Sequence, residues 1–188
     1  MSRDMEEIKE KNRVLGIISE YDELTGLLNL RGFMEHTRRV CQAGNGQRAY
    51  MIYGDLDHLK EINDTWGHPV GDQVIKTVVN IIGKSIRPDD LLARVGGEEF
   101  GVLLTDIDTE RAKALAERIR ENVERLTGDN PEYAIPQKVT ISIGAVVTQE
   151  NALNPNEIYR LADNALYEAK ETGRNKVVVK EAEILINR

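Results

Sequence analysis

The stretch Arg94-Val95-Gly96-Gly97-Glu98-Glu99-Phe100 joins two short apolar runs at residues 91–93 and 101–104. Two such runs on either side of a glycine pair predict a β-hairpin whose turn contains the glycines. Glycine tolerates positive φ and lets another backbone or a ligand approach closely. The adjacent carboxylates of Glu98 and Glu99 are unusual there, because a turn needs polarity but gains nothing from two like charges. They form a candidate functional site, and the alternative is an ordinary solvated turn.

The composition indicates one globular domain. The chain has 188 residues, of which 40% are hydrophobic and 30% charged, which is enough apolar material for a sizeable core. Its net charge of −7 argues against broad binding of nucleic acid or anionic membrane. No apolar stretch approaches the ~20 residues that span a bilayer, and no signal peptide is visible. The single cysteine, Cys41, is typical of a reducing cytoplasm.

Residues 1–20 are predicted to be a helical linker that ends a longer upstream segment. A heptad-like seam is formed by Met1, Met5, Ile8, Asn12 and Leu15, and a polar residue in such a seam can fix the register of a coiled coil. An independent, solvated helix is an equally good interpretation. The remaining chain is predicted to be one catalytic domain over 21–182 with a tail over 183–188.

The hydrophobic pattern of this domain predicts alternating strands and helices. Asn29 is a predicted N-cap for a helix that ends near Gln42. The predicted strands are 48–54, the two arms of the hairpin, 138–147 and 177–179, and the predicted helices after the first are 70–86, 112–126 and 158–169. This order favours an α/β or α+β sandwich, in which helices flank a central, mostly antiparallel sheet.

Acidic residues follow the first predicted strand in Asp55-Leu56-Asp57-His58-Leu59-Lys60. The end of this strand and the hairpin tip can lie side by side in such a sheet, which would bring Asp55 and Asp57 to Glu98 and Glu99. Clustered carboxylates repel unless a divalent cation neutralises them, and ligands that are all oxygens favour Mg²⁺ or Mn²⁺ over zinc. Basic residues that would contact phosphates are Lys60, Lys170 and Arg174. The residues alone therefore predict a Mg²⁺-dependent nucleotide site.

Five ordered segments are spread over about residues 21–180. The segments are Asp22-Glu23-Leu24-Thr25-Gly26-Leu27, Asp55-Leu56-Asp57-His58-Leu59-Lys60 with Asn63-Asp64, Gly67-His68-Pro69-Val70-Gly71-Asp72, Gly96-Gly97-Glu98-Glu99-Phe100, and Ala162-Asp163-Asn164-Ala165-Leu166-Tyr167-Glu168-Ala169-Lys170 with Gly173-Arg174-Asn175. Together they resemble the GGDEF family, the diguanylate cyclase domains of bacterial cyclic di-GMP signalling. Because several motifs occur together at the family's spacing, the resemblance does not depend on one short pattern. It implies a nucleotide-cyclase-like or palm-like fold.

The resemblance assigns metal and catalytic roles to the acids. Asp55, the backbone carbonyl of Leu56 and Glu98 match the family's ligands for Mg²⁺ or Mn²⁺, with Glu99 in support. Glu98 also matches the residue that takes the proton from the attacking ribose 3′-hydroxyl.

The resemblance also assigns the substrate contacts. Asn63 and Asp72 match the residues that recognise guanine, although Asp72 would equally serve as a cap for a helix starting near Val70. The triphosphate contacts are matched by Lys60, Lys170, Arg174 and the backbone N–H groups around His58 and Leu59. Lys170 and Arg174 are also ordinary basic residues for a helix C-terminus, and His68 is as readily a core imidazole as a site residue.

Arg87 and Asp90 precede the signature at the offset of the family's inhibitory site for its own product. An arginine fork suits a phosphate or the Hoogsteen edge of guanine, and a carboxylate suits its Watson–Crick edge. Polar residues that simply end a helix are the alternative explanation.

The implied function is a diguanylate cyclase that condenses two GTP into cyclic di-GMP and two pyrophosphates, and that is inhibited by its product. One domain binds one GTP, so the implied active unit is a homodimer, with a sensor domain upstream in a longer protein. The expected location is the cytoplasm, alone or as the cytoplasmic part of a larger, even membrane-bound, sensor, without nucleic acid or direct membrane contact. The alternative is a catalytically silent regulatory domain that binds GTP or cyclic di-GMP.

Overall fold

The computed structural model describes residues 20–42, 49–128, 135–148 and 154–182. Their helices and strands alternate along the chain, as the sequence pattern predicts. In chain order they are α1 (Leu30–Gln42), β1 (Ala49–Leu56), α2 (Leu59–Trp66), α3 (His68–Ser85), β2 (Leu91–Arg94), β3 (Glu99–Thr105), α4 (Thr109–Leu126), β4 (Ile141–Thr148), α5 (Pro155–Glu171) and β5 (Val177–Ala182). The predicted linker over 1–20, except Glu20, and the predicted tail over 183–188 lie outside the described residues.

The described strands form one sheet in the order β2-β3-β1-β4-β5. Neighbouring strands are antiparallel except β4 and β5, which are parallel. The predicted hairpin is confirmed as β2 and β3, and the predicted α+β class with a mostly antiparallel sheet is confirmed with it. β1 is central, and every residue of β1 and of β4 is buried, because helices cover both faces of the sheet.

Each face of the sheet has its own hydrophobic core. On one face, α3 and α4 pack side chains such as Val78 and Ile119 against Ile52 and Val102 of the strands. On the other face, α1 and α5 pack Phe33 and Leu166 against the sheet. Apolar residues at helical spacing along these helices therefore all point to the sheet, which is why the periodicity located them correctly.

The helix starts follow from capping. Asn29 caps α1 as predicted, since its Oδ1 accepts a hydrogen bond from the Gly32 N–H at 3.0 Å. α3 begins at His68, two residues before the predicted start, because Pro69 suits the first turn of a helix. In the described part of the chain, no helix is long and apolar enough to cross a bilayer.

Candidate functional site

The end of β1 and the turn of the hairpin meet at one edge of the sheet. Asp55 is paired in register with Glu99, and the Leu56 N–H donates to the Glu98 carbonyl oxygen at 3.0 Å. The predicted convergence of Asp55 with Glu98 and Glu99 is therefore what the strand register produces.

Asp55 is a buried carboxylate with the ammonium group of Lys170 beside it. The side chain of this residue is 5% exposed, and its Oδ2 lies 2.8 Å from Nζ of Lys170 on α5. Burial raises the pKa of Asp55 to about 6, Lys170 opposes that rise, and the charges of Glu98 and Glu99 add to it. A carboxylate in this position stays ionised more readily when further positive charge reaches the site.

The donor set suits Mg²⁺ or Mn²⁺ that is shared with a substrate. Within the described residues, no group of three or more His, Cys, Asp or Glu side chains is arranged to hold a metal ion. Mg²⁺ is usually bound through one or two carboxylates together with substrate phosphates, not by an all-protein cage. The buried Asp55 and the half-buried Glu98 and Glu99 fit that mode of binding.

The two glycines of the signature have different reasons to be glycine, and neither is positive φ. The residues of the described chain with left-handed backbone do not include Gly96 or Gly97, so the tolerance of glycine for positive φ is not used at either position. A Cβ on Gly96 would lie 2.1 Å from Oε2 of Glu99, whereas a Cβ on Gly97 would meet nothing within 4 Å. Gly96 makes room for the Glu99 carboxylate, and the space beside Gly97 is open.

Asp22 and Arg94 fix the hairpin turn to the segment before α1. Nη1 of Arg94 lies 3.1 Å from both carboxylate oxygens of Asp22, and Nη2 donates to the Gly97 carbonyl at 2.7 Å. Burial raises the pKa of Asp22, but hydrogen bonds from Thr25 and Arg94 outweigh it and hold the pKa below its ordinary value. This pair was not predicted, because its members are 72 positions apart and neither belongs to a recognisable contact pattern.

Asp57 does not join the other acids. Its oxygens accept hydrogen bonds from Thr140 Oγ1 and Ser142 Oγ, each at 2.7 Å, and from the Asn175 N–H at 3.1 Å. These contacts place the Asp57 carboxylate against β4 and not against the hairpin, and the chain then turns at His58, which has a φ of 62°. The predicted convergence of Asp57 with Asp55 is wrong. Asp57 instead holds the turn after α5, in which Arg174 and Asn175 both have positive φ.

Asn63 and Asp72 lie on neighbouring helices. Asn63 is on α2, and its Oδ1 is buried without a hydrogen-bond partner in the described structure. This oxygen packs over Gly71, where a Cβ would lie 1.8 Å from it. Asp72 is exposed on α3, beside Gly71. The interpretation of Asp72 as a helix cap is wrong, because α3 already begins at His68 and has no side-chain cap.

The predicted phosphate contacts surround the same edge of the sheet. His58 and Leu59 lie at the N-terminus of α2, where backbone N–H groups lack intrahelical partners. Lys60 and Arg174 are exposed and have no ion-pair partner in the described part of the chain. Lys170 differs, because it pairs with Asp55. His68 is exposed, so its interpretation as a core imidazole is wrong.

An open cavity of about 550 Å³ lies between the start of α1 and the hairpin turn, and it was not predicted. Arg31 and Met34 line it on one side, and Arg94, Gly96 and Gly97 line it on the other. The signature loop is therefore accessible from the side of α1.

A family profile described as "Diguanylate cyclase, GGDEF domain" matches residues 19–176. The chain belongs to the GGDEF family. A relative in Escherichia coli strain K12, "Probable diguanylate cyclase DgcT", is 79% identical over 170 residues, which are 90% of this chain and 37% of that protein. The response regulator PleD of Caulobacter vibrioides is 38% identical over 86% of this chain and 36% of its own length. This GGDEF chain thus spans little more than a third of either relative.

Solved GGDEF domains have the same fold. The coiled coil and GGDEF domain of DgcB from Caulobacter crescentus, in complex with c-di-GMP, has a TM-score of 0.81 at 29% identity and covers 94% of each chain. The active GGEEF domain of a diguanylate cyclase from Vibrio cholerae has a TM-score of 0.68 at 29% identity, and covers 82% of this chain and 95% of that one. The resemblance stated from the sequence is confirmed at the level of family and fold.

The predicted inhibitory pair of this GGDEF domain forms a closed turn after α3. Oδ2 of Asp90 accepts a hydrogen bond from the Arg87 N–H at 2.8 Å, and the Asp90 N–H donates to the Arg87 carbonyl at 3.1 Å. The Arg87 side chain is exposed and has no ion-pair partner among the described residues. Asp90 thus has a structural role that would coexist with a role in binding, and the binding role stays a prediction.

Proposed function

We propose that this GGDEF domain is a diguanylate cyclase that condenses two GTP into cyclic di-GMP and two pyrophosphates. The observation that carries the proposal is the position of buried Asp55 against Glu98 and Glu99 at one sheet edge. The relative with 79% identity is named a probable diguanylate cyclase, which supports the same activity.

Each half of the reaction is a phosphoryl transfer. The 3′-hydroxyl oxygen of one GTP bonds to the α-phosphorus of the other, the bond from that phosphorus to the bridging oxygen breaks, and pyrophosphate leaves. Glu98 accepts the hydroxyl proton. A Mg²⁺ or Mn²⁺ ion held by Asp55, the Leu56 carbonyl and Glu98, with Glu99 in support, would polarise the α-phosphate and neutralise the pyrophosphate.

Hydrogen-bond acceptors of the protein would select guanine over adenine. Its N1–H and 2-amino group are adjacent donors, which the Asp72 carboxylate accepts together, whereas adenine has only an acceptor at N1. The buried Oδ1 of Asn63, which lacks a donor in the described structure, would gain one from the base. A buried acceptor without a partner is unfavourable in the free protein, and so binding of guanine relieves that penalty.

The triphosphate would be held by Lys60, Lys170, Arg174 and the N–H groups of His58 and Leu59. Lys170 neutralises Asp55 in the free protein. Once a divalent cation does so instead, Lys170 becomes free to contact a phosphate, and the arrival of metal and nucleotide is thereby coupled.

The proposed active unit is a homodimer, because two phosphodiester bonds form between two nucleotides and each domain binds one. An upstream sensor would control the dimer, and Arg87 with Asp90 would bind cyclic di-GMP as an inhibitor. Such a domain works in the cytoplasm, either alone or as part of a larger sensor.

The test is incubation of the purified domain with GTP and Mg²⁺, with products separated by chromatography, beside Glu98→Gln and with ATP as the substrate control. We expect the wild-type domain to form cyclic di-GMP from GTP and no cyclic dinucleotide from ATP. Glu98→Gln is expected to form no product from GTP. GTP that is bound but unconverted, even after fusion to a dimeric coiled coil, would refute the enzyme and indicate a silent regulatory domain.

A further inference from the structure

Asp57 is a buried carboxylate that the proposed reaction does not use, and it is 4% exposed. Its Oδ1 accepts a hydrogen bond from Ser142 Oγ on β4, and its Oδ2 accepts one from Thr140 Oγ1 just before β4. The Asp57 N–H also donates to the Thr140 carbonyl oxygen at 2.9 Å. Because burying a polar group is unfavourable unless it is hydrogen-bonded, we expect Asp57 to serve the segments that it joins.

Oδ2 of Asp57 has a second partner in the turn over 172–176, which follows α5. It accepts a hydrogen bond from the Asn175 N–H at 3.1 Å. In this turn Gly173, Arg174 and Asn175 have φ values of 117°, 59° and 45°. Left-handed backbone is unfavourable for a residue such as arginine, and it persists where the surrounding structure fixes it. The bond from Asn175 to Asp57 is one of the contacts that fix this turn.

A second contact fixes the same turn from the side of α4. Nη1 of Arg120 donates to Oδ1 of Asn175 at 3.0 Å. Arg120 is itself held, because its guanidinium lies 2.8 Å from a carboxylate oxygen of Glu117 and 2.9 Å from one of Glu124, and its side chain is 15% exposed. Asn175 is therefore held through its main chain by Asp57 and through its side chain by Arg120.

The residue that this turn presents is Arg174. Its N–H donates to the Ala169 carbonyl oxygen at 3.0 Å, and its side chain is exposed. Asp57 directly precedes His58, where α2 begins. One carboxylate thus joins the turn of Arg174 to the start of α2, which are two of the parts that the proposed function assigns to the triphosphate.

We propose that Asp57 and Arg120 are positioning residues that hold the turn over 172–176, so that Arg174 is preorganised to bind the triphosphate beside the N-terminus of α2. A turn that is already in place loses less conformational freedom when a phosphate binds, and the charge-assisted contact is then stronger. Both residues act through Arg174 and not on the phosphates themselves. The inference rests on the proposed function, because it concerns the triphosphate contacts of that site.

The test measures the dissociation constant of 3′-deoxy-GTP with Mg²⁺ by calorimetry, because this nucleotide lacks the attacking hydroxyl and cannot be cyclised. Asp57→Ala and Arg174→Ala are each expected to weaken binding about tenfold, the effect of one lost contact to a charged group. The double variant is expected to bind within about twofold of Arg174→Ala, because Asp57 acts through Arg174. Wild-type affinity in Asp57→Ala, or a loss of about 100-fold in the double variant, would overturn the proposal.

Two further variants separate positioning from a general loss of stability. In Asp57→Asn the amide oxygen can replace Oδ2 while the amide nitrogen donates to the Ser142 hydroxyl, so the affinity is expected to recover to within about threefold of the wild type. Thr127→Val is the control for lost buried hydrogen bonds, because Thr127 Oγ1 bonds to Val123 and Val139 and not to the turn. It is expected to lower the melting temperature and to leave the affinity for 3′-deoxy-GTP unchanged. An equal loss of affinity in Thr127→Val and Asp57→Ala would show that Asp57 is merely structural.

The support from α4 is tested separately, so that the proposal can be refuted even if Asp57→Ala does not fold. Arg120→Met is expected to bind 3′-deoxy-GTP about threefold more weakly, and Arg120→Lys, which keeps a donor for Asn175, is expected to lose less. Arg125→Met removes the same charge from the same helix, where Arg125 contacts Asn122 and not the turn, and is expected to bind like the wild type. Equal affinities of Arg120→Met and Arg125→Met would refute the proposed support of the turn.

The same measurements distinguish failure of this inference from failure of the proposed function. If the wild type binds 3′-deoxy-GTP but forms no cyclic di-GMP from GTP, the proposed cyclase fails, and the affinities of the single and double variants still decide the role of Asp57. A wild-type domain that does not bind 3′-deoxy-GTP would overturn both.

Discussion

Gly96 and Gly97 show how two identical neighbours differ in function. The space over Gly96 is filled by the Glu99 carboxylate, and the space over Gly97 is open. The difference is one of contact alone, since neither glycine has positive φ.

Gly96→Ala is expected to displace Glu99 and to lower kcat by about 100-fold, since misplacement by about 1 Å in a catalytic group has effects of this size. Gly97→Ala is the matched control and is expected to change kcat by only a few fold. Steady-state formation of cyclic di-GMP measures both. Equal losses in the two variants would show that the Glu99 contact is not the reason for Gly96.

Asp55 is expected to reduce the stability of the free domain at neutral pH. Its carboxyl ionises at a pKa of about 6 in the native state, against 3.8 for the unfolded chain. Between these values the native state binds more protons than the unfolded state, so stability falls as the pH rises from 4 to 6 and remains lower above 6. The groups that set this pKa besides burial are Lys170, Glu98 and Glu99.

Asp55→Asn is therefore expected to be inactive but more stable than the wild type by ~2 kcal/mol at pH 7.5, with no difference below pH 4. Urea unfolding of the two proteins at both pH values, without divalent metal, measures this difference. A less stable Asp55→Asn at pH 7.5 would mean that the Lys170 ion pair outweighs the burial of charge.

At the scale of elements, α2 and α3 are joined at a close contact. The Asn63 side chain of α2 lies over Gly71 of α3, and this contact places Asn63 beside Asp72. Glycine inside a helix is normally unfavourable by ~1 kcal/mol relative to alanine, so its presence at 71 has a packing reason.

Gly71→Ala is expected to push Asn63 away and to raise KM for GTP about tenfold, the effect of one lost hydrogen bond in a buried site. Gly83→Ala is the control on the same helix, because its Cβ would only touch Leu92 at 4.0 Å. That control is expected to raise stability by up to ~1 kcal/mol and leave KM unchanged. An unchanged KM in Gly71→Ala would contradict the assignment of Asn63 to guanine.

At the scale of the whole molecule, the proposed reaction requires two copies to meet, because each domain would bind one GTP. The domain has one set of site residues, and the segment over 1–20 has a weak heptad-like seam that would raise the local concentration of the second copy.

Specific activity is expected to rise with protein concentration, and deletion of residues 1–20 is expected to lower activity more than GTP binding. Fusion of a dimeric coiled coil to the shortened chain should restore activity. Turnover that is unchanged by the deletion at low protein concentration would rule out a role of this segment in dimerisation.

Local patterns in the sequence determined the elements and the family. Hydrophobic periods of 3.6 and 2 residues located the helices and the strands. Asn29 was predicted as the N-cap of α1, and the ordered motifs identified a GGDEF domain. The convergence of Asp55 with Glu98 was also predictable, because a hairpin tip and an adjacent strand end share a sheet edge.

Only the tertiary structure decided which side chains of the site act together. Asp55 and Asp57 are two residues apart, yet Asp55 pairs with Lys170, whereas Asp57 accepts hydrogen bonds from Thr140, Ser142 and the Asn175 N–H. Three contacts join positions that are far apart in the chain: Lys170 with Asp55, Arg94 with Asp22, and Tyr159 with Tyr53. Such pairs depend on strand register and on how closely α5 approaches the sheet, and neither is encoded in the spacing of residues along one segment.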